Sequence, residues 1–553
     1  MITLFVLAAQ AFADPPAVTK PAAPVKSDSP LRIPGLGGFQ RPVTTASAEA
    51  QGFFNQGLML LYAFNHDEAI RAFQEAVKFD PKCAMAHWGI AFANGPHINF
   101  PLVPPPRAKA AWAALAEAKK HAGGGTPCEQ ALIGALAARY ADPQPEDRAP
   151  LDKAFADAMR KVRAQFPADA DVAALAAESV MDLRPWDLWT ADGKPQPETP
   201  EVLALLDAAL LANPNHPLAL HLYVHAVEAS PQPGKADAAA NRLRNVAPGL
   251  SHLVHMPSHI DVLRGRWLQA AQANERAITV DVAYRKLSPN QGFYRLYMAH
   301  NRHMLMFAAM MSGRSKVALD SARAMLAEIP AEWLKEPGNA GIVDGFHAAP
   351  IEVLMRFGKW EEMLKEPEPD AMFPIARALR LAFRGVAFAA LKRPEEARKE
   401  QAAFVAASAK VPPEAQAGNN KAPDLFAVAG PVLEGEILLG EGKFEEAVAT
   451  LSKALAAEKK VRYDEPPGWI VPVRHSLGVA LLAAGKPADA ERRYREDLKR
   501  WPNNGWSLLG LAQSLTAQNK PDAAEKAMTQ FKTAWKLADV EPPASCFCKP
   551  AGK

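Results

Sequence analysis

Histidines are the residues best suited to chemistry in this sequence, and they are unevenly distributed. The chain has 14 histidines among 553 residues, and half of them fall in one stretch. That half lies in the segments HLYVHAVEAS, SHLVHMPSHID and MAHNRHML, as His221, His225, His252, His255, His259, His300 and His303. A neutral imidazole is a nitrogen donor for zinc, copper, iron or nickel. The pattern therefore predicts a site for a divalent transition metal (zinc, copper or iron), without identifying the metal.

The first histidine segment has helical spacing. His221 and His225 are four residues apart and Glu228 follows three residues later, so a helix places all three on one face. Glu228 is the candidate catalytic residue, either as a carboxylate ligand or as a general base beside bound water. Asp261, beyond the second segment, is a candidate acceptor that orients a ligand histidine.

The other two segments repeat this spacing. His255 and His259 are four residues apart, although Pro257 between them must begin or kink the helix. His300 and His303 are three residues apart. Every segment therefore predicts a helix that presents histidines from one face.

The segments also share a register. Each begins 18 residues before an alanine that recurs along the chain, in the pairs His221/Ala239, His252/Ala270 and His300/Ala318. Equivalent positions on stacked helices point the same way, and neighbouring helices pack about 8–10 Å apart. The imidazoles are thus expected to converge.

Two other uses of these histidines stay open. They can line a site for an anionic or organic ligand, including haem, or they can serve as hydrogen-bonded structural residues. Covalent c-type haem is excluded because C-x-x-C-H is absent. Buried imidazoles without metal or counter-charge would leave polar atoms to satisfy, which favours metal binding.

The elements that position these residues are predicted by a recurring pattern of small and large residues. One copy has Gly57, Leu60, Ala69, Phe73, Ala76 and Pro81, and later copies with the same intervals include Gly435, Leu438, Ala447, Leu451, Ala454, then Gly478, Leu481, Ala490, Tyr494, Pro502, then Leu515, Ala524 and Met528. These intervals are those of tetratricopeptide repeats (TPRs). They predict an all-α, TPR-like α-solenoid over residues 45–540, a right-handed superhelix of antiparallel helix pairs with the histidine cluster at 216–303. Its concave groove suits a protein or peptide ligand, so a scaffold without catalysis is the alternative function.

The two ends of the chain carry different signals. Residues 1–13 combine an apolar run with Ala11-Phe12-Ala13, which predicts a cleaved signal peptide and a periplasmic or secreted protein. No Lys or Arg precedes that run, and a retained membrane anchor is the alternative; after cleavage no stable membrane span is expected. Residues 14–44 are a proline-rich linker and residues 541–553 a flexible tail.

Charge and cysteine content narrow the function classes further. The net charge is only +3 and no long basic run occurs, so nucleic acid is not an expected partner. The four cysteines allow three disulfide connectivities, among which Cys83–Cys128 and Cys546–Cys548 are conceivable pairs in an oxidising compartment.

The histidine segments also carry a resemblance. With H-x3-H-x2-EAS, HMPSHI and YRLYMAHNRHML, the sequence resembles a family of bacterial exported TPR proteins over most of residues 50–540. CAMAHWGIAFANGP and PPGWIVPVRHSLG add to the likeness. The resemblance implies an exported helical-repeat protein and supplies no reaction.

Overall fold

Helices make up nearly all of the regular structure in residues 30–335 and 338–548, the parts of the chain that this computed structural model describes. They pack into one compact unit that begins at Ile33. The predicted signal peptide and residues 14–29 of the predicted linker lie outside the described residues.

The helices follow one another with short connections. The first group is α1 (Ala48–Tyr62), α2 (His66–Phe79), α3 (Ala84–Ala93), α4 (Pro105–His121), α5 (Pro127–Leu136), α6 (Ala149–Gln165), α7 (Ala170–Met181), α8 (Thr199–Ala212) and α9 (Pro217–Glu228). The middle group is α10 (Asp237–Val246), α11 (Ser251–His255), α12 (Pro257–Leu263), α13 (Trp267–Leu287), α14 (Arg295–Met311), α15 (Ser315–Glu328), α16 (Ala331–Leu334), α17 (Asn339–Val343) and α18 (Ala349–Arg356).

The last group completes the array with α19 (Trp360–Lys365), α20 (Pro374–Ala390), α21 (Pro394–Ser408), α22 (Ala422–Gly440), α23 (Phe444–Glu458), α24 (Val473–Ala483), α25 (Pro487–Arg500), α26 (Gly505–Thr516) and α27 (Pro521–Ala534). Short 3₁₀ turns occur at Ala122–Gly124, Ala137–Arg139, Pro233–Ala236, Gly292–Tyr294 and Asp344–Ala348. A two-stranded antiparallel hairpin joins β1 (Gln416–Ala417) to β2 (Asn420–Lys421). None of the described helices combines the length and apolar content that a membrane crossing requires.

The repeat pattern works through close contacts between small and aromatic residues. A Cβ added at Gly478 would lie 2.3 Å from the ring of Tyr494, and one at Gly510 equally close to the same ring. Tyr494 thus packs against its own repeat and the next one, and both glycines are needed for that approach. The predicted all-α TPR-like solenoid is confirmed.

The segments flanking the array pack against it. In residues 33–44 the Ile33 N–H donates to Gln56 Oε1 (3.1 Å), and Arg41 forms an ion pair with Asp171 (2.8 Å). This part of the predicted linker has no regular secondary structure, but these contacts attach it to the helices.

The C-terminal end is packed as well, where the sequence predicted a flexible tail. Over residues 541–548, Ser545 is buried and its hydroxyl donates to the carbonyl of His475 (2.8 Å). Cys546 and Cys548 form a disulfide, whereas Cys83 and Cys128 are free, so the conceivable Cys83–Cys128 bridge is not formed.

The histidine segments lie on the first helices of consecutive pairs, as their register predicted. The first segment is on α9, the second is divided between α11 and α12, and the third is on α14. Pro257 begins α12, which confirms the predicted interruption between His255 and His259. The residue between the two short helices, Met256, keeps helical dihedral angles (φ −48°, ψ −38°).

Candidate metal centre

Three histidines meet through their Nε2 atoms at one point, and we call them the first trio: His221, His225 and His252. The Nε2 atom of His221 lies 3.2 Å from that of His225 and 3.1 Å from that of His252. Two helices supply them, because α9 carries the pair four residues apart and α11 carries the third. All three rings are buried.

The outer nitrogens of this trio fix which ring atoms carry protons. His221 Nδ1 is 2.8 Å from the carbonyl oxygen of Tyr62, which can only accept, so Nδ1 is the protonated nitrogen. His225 Nδ1 is 2.9 Å from a carboxylate oxygen of Glu228 and donates to it. The Nε2 atoms of both rings therefore face each other as lone pairs.

A second trio lies beside the first and consists of His255, His259 and His300. His259 Nε2 is 2.7 Å from His255 Nε2 and 3.5 Å from His300 Nε2. His255 Nδ1 donates to Asn274 Oδ1 (2.7 Å), and the amide of Asn274 is oriented by its own donation to the carbonyl of Ala270 (2.8 Å). Nε2 of His255 is consequently a lone pair too.

Glu228 connects the two trios. One carboxylate oxygen accepts from His225 Nδ1 and the other accepts from His259 Nδ1 at 2.8 Å. The rings of the trios adjoin, with centroid distances of 5.7 Å for His225–His259 and 5.7 Å for His252–His255. The six imidazoles form one continuous cluster with a single carboxylate between its halves.

Burial decides the charge of most of these rings. It lowers the pKa values of His221, His252, His255 and His300 well below the usual histidine range, and the neighbouring imidazoles lower them further. At neutral pH these four rings are uncharged, the state in which an imidazole binds a metal ion.

His259 differs because two carboxylates face it. Burial opposes its protonation, but the charges of Glu465 and Glu228 raise the pKa of His259 to about 10. Burial likewise opposes ionisation of Glu228, yet His225 and His259 lower the pKa of that carboxyl group to about 2. The cluster therefore holds a carboxylate that stays charged, and a His259 that is cationic when no other cation is near.

A cleft leads to the cluster from one side. It has room for about 20 Å³, close to what a single water needs, and is lined by Ile98, Met181, Arg184, Trp186, Leu188, Trp189, His225, Glu228, Ala229 and Tyr463. The ring of Trp186 meets that of His225 edge-on at 5.6 Å, and its backbone φ of 58° is uncommon for a bulky residue. The ring of Phe64 packs against the ring of His221, with a centroid distance of 4.4 Å.

Two candidates from the sequence lie elsewhere. His303 packs against the ring of Phe346 at 5.0 Å and belongs to neither trio. Asp261 does not orient a histidine, because its carboxylate accepts from Arg244 (2.7 Å) and Arg266 (2.7 Å). Charge-assisted hydrogen bonds from two arginines already occupy the carboxylate oxygens of Asp261, and such bonds are stronger than a hydrogen bond from a neutral imidazole.

Sequence reasoning missed Asn274 and Glu465. Asn274 lies on α13, the second helix of its pair, and Glu465 lies in the connection between α23 and α24. Glu465 contacts His259 Nδ1 and accepts from the hydroxyl of Tyr463. Neither residue stands in a motif with a histidine, so nothing in the local sequence points to it.

Comparison with known proteins agrees with the fold. Residues 50–83 and 481–530 each match the tetratricopeptide repeat family. The chain therefore contains tetratricopeptide repeats. Among curated proteins no sequence matches this TPR chain.

Several solved structures are matched along most of this chain, with low sequence identity and low TM-scores. The APC/C hetero-tetramer Cut9–Hcn1 is matched with 12% identity and a TM-score of 0.29, over 89% of this chain and 74% of that one. The TPR domain of P58(IPK) is matched with 13% identity and a TM-score of 0.20, over 88% and 93%. The human IFIT1 dimer with PPP-AAAA is matched with 12% identity and a TM-score of 0.30, over 88% and 89%.

Proposed function

We propose that this TPR protein binds two transition-metal ions, one in each histidine trio, with Glu228 orienting a ligand on both sides. The observation that carries the proposal is the pair of facing lone pairs on His221 and His225. Since both Nδ1 protons are committed to acceptors, the Nε2 atoms repel one another unless a cation lies between them.

The separations fit a shared ion. Two nitrogens bound tetrahedrally at about 2.05 Å from one metal lie about 3.3 Å apart. The first trio has 3.2 and 3.1 Å, and the second has 2.7 and 3.5 Å around His259. The two separations in the first trio are thus close to the tetrahedral value, and the two in the second trio lie on either side of it.

The donor set favours zinc, copper or iron. Six imidazole nitrogens suit borderline metals and offer no hard oxygen ligands for calcium or magnesium. Three protein ligands leave a fourth position open, the arrangement of catalytic rather than structural zinc sites. With the cleft reaching His225 and Glu228, this supports a metalloenzyme, in which an ion would supply Lewis acidity and an acidified water.

Glu228 takes a positioning role in this proposal. Both of its oxygens accept from ligand histidines, which fixes the ring tautomers and strengthens the Nε2 donors. A general-base role for Glu228, predicted from the sequence, would use the lone pairs that these two hydrogen bonds leave on its oxygens.

The alternative, a peptide-binding scaffold, does not use the histidine cluster. His221, His255 and His259 are at most 1% exposed, and the Nε2 atom of each faces another histidine of the cluster. A peptide has no room to replace those contacts, so a protein partner of this TPR chain would bind another surface.

Elemental analysis of the purified full-length protein tests the proposal after loading with each metal and gel filtration. We expect about two ions per chain, falling to about one in His225→Ala and to about one in His300→Ala. His303→Ala is the matched control, because this histidine is on the same helix as His300 but outside the trios, and it should keep both ions. Less than about a tenth of an ion per wild-type chain would overturn the proposal.

A further inference from the structure

The disulfide near the C-terminus joins two residues, Cys546 and Cys548, that are only two positions apart. The stabilisation that a disulfide gives by restricting the unfolded chain grows with the length of the loop it closes, and this loop contains a single residue, Phe547. The bridge also connects no helix to another, because both cysteines follow α27. It therefore contributes little to the stability of the fold, which points to a chemical role.

Hydrogen bonds that do not involve the cysteines hold the segment 541–548 in place. The Ser545 hydroxyl donates to the carbonyl of His475 (2.8 Å) and accepts from the hydroxyl of Tyr494 (2.8 Å). The carbonyl of Ser545 accepts from Nη2 of Arg356 (3.0 Å). We therefore expect the segment to stay attached to the helices when the disulfide is opened.

The two sulfur atoms of the bridge differ in accessibility. Cys546 is 7% exposed, whereas Cys548 is half-buried. An external thiolate can therefore reach Sγ of Cys548 more easily, and the sulfur of Cys546 is then the leaving group. Thiol–disulfide exchange is faster when the leaving thiolate is more stable, so the surroundings of Cys546 determine how readily the bridge reacts.

A buried arginine lies beside Cys546. Arg356 is 2% exposed, its guanidinium stacks on the ring of Trp506 at 3.4 Å, and it binds the carbonyl of Ser545, the residue that precedes Cys546. Its Nε and Nη1 atoms have no hydrogen-bond partner among the described residues. Arg356, Cys546 and Cys548 line one small cavity with room for about 30 Å³, one or two waters. Opening the bridge thus creates a thiolate close to this guanidinium.

Two acids act on this region without forming an ion pair with Arg356. Glu436 lines the same cavity, and burial raises the pKa of its carboxyl group to about 7, so about half of it is protonated at neutral pH. Asp497 attracts Arg356 from a distance, while its Oδ2 atom accepts from His475 (2.9 Å) and Ser507 (2.7 Å). An isolated buried cation is unfavourable, and a thiolate at Cys546 would compensate it.

We propose that the Cys546–Cys548 disulfide is a thiol-oxidising site, whose substrates are exposed thiols and whose leaving thiolate is stabilised by Arg356. A substrate thiolate attacks Sγ of Cys548; the new S–S bond forms there, the bond to Cys546 breaks, and Cys546 leaves with the electron pair as a thiolate. A second substrate thiolate then attacks the substrate sulfur of this mixed disulfide and releases Cys548 as a thiolate. Two thiols thereby lose two electrons and their two protons and become one disulfide, and the two cysteines take up the electrons. A neighbouring cation that stabilises the reduced form makes a disulfide a stronger oxidant.

Equilibration of the native full-length protein with buffers of reduced and oxidised glutathione tests the proposal. Free thiols are alkylated and located by mass spectrometry, which separates the bridge from the free Cys83 and Cys128. We expect the bridge to be reduced while near-UV circular dichroism stays that of the folded protein. Arg356→Met should lower the equilibrium constant for reduction by about tenfold, the equivalent of about one unit in the pKa of the Cys546 thiol. Arg380→Met is the matched control, because Arg380 is half-buried and does not line the cavity, and it should keep the wild-type constant.

The pH dependence of alkylation gives a second measurement on the reduced wild-type protein. The pKa of the Cys546 thiol should be lower than in a synthetic peptide of residues 541–553, which lacks Arg356. Reduction that occurs only when the protein unfolds would overturn the proposal, as would a wild-type equilibrium constant in Arg356→Met. Should Arg356→Met fail to fold, the comparison with the peptide decides, and a Cys546 pKa at or above the peptide value contradicts the role of Arg356.

Discussion

Replacement of Glu228 by glutamine probes the connection between the two histidine trios. The carboxylate accepts from one histidine of each trio, His225 at 2.9 Å and His259 at 2.8 Å. A glutamine of the same shape has one accepting oxygen and one donating amide group. It can satisfy only one Nδ1–H, and the other ring must turn its proton to Nε2, the atom that would bind metal.

The expected loss follows from this orienting role. Removing a carboxylate that orients a ligand histidine typically lowers metal affinity 10- to 100-fold, or about 1.4–2.7 kcal/mol at 25 °C. Among the described residues, His225 Nδ1 has Glu228 as its one acceptor, whereas His259 also faces Glu465. We therefore expect the first trio to lose the larger share of affinity in Glu228→Gln.

Competitive titration against a chromophoric chelator measures both affinities in one experiment. Glu352→Gln is the matched control: this glutamate is also buried, burial raises its pKa to about 8, and it lies on α18 outside the cluster. Two ions bound with wild-type affinity in Glu228→Gln would refute the orienting role of the carboxylate.

Three further predictions concern the stability of the fold. Burial lowers the pKa of His66 to about 3, so below about pH 6.5 the unfolded chain takes up a proton that the folded chain does not, and the free energy of unfolding falls towards acid. In urea titrations between about pH 6 and 4, His66→Gln should reduce the slope of that free energy against pH by up to about 1.4 kcal/mol per pH unit. An unchanged slope would contradict the assignment. Gly478→Val should cost about 1–3 kcal/mol in thermal unfolding because its Cβ would lie 2.3 Å from Tyr494, and Tyr494→Leu added to that variant should recover part of the loss. Trp506→Ala should lower the free energy of chemical unfolding by about 3–5 kcal/mol, because this side chain is fully buried. Trp112→Ala is the control, because Trp112 is partly exposed. Similar losses of stability in both variants would be inconsistent with this packing.

The helical-repeat fold could be predicted because its determinants are local. Gly57 and Phe73 recur at intervals set by one helix pair, and their contact is a property of that pair. The break at Pro257 was equally predictable, because proline cannot continue the hydrogen bonding of a helix. The ends of the chain were less accessible to sequence reasoning, since Ser545 is held by contacts with repeats far from it in sequence.

For the histidine cluster, the sequence determined which residues share a helical face, and the tertiary structure decided how they group. Helical periodicity alone places His221 beside His225. That His252 joins them, while His255 and His259 join His300, depends on how α9, α11, α12 and α14 pack.

The residues that orient the trios were decided by the tertiary structure alone. Asn274 comes from the second helix of a pair, and Glu465 comes from a connection far along the chain. His303 has the spacing of a ligand, yet its ring packs against Phe346. Spacing along a helix is fixed by local backbone geometry, whereas convergence between helices depends on packing between residues distant in sequence, which local spacing does not encode.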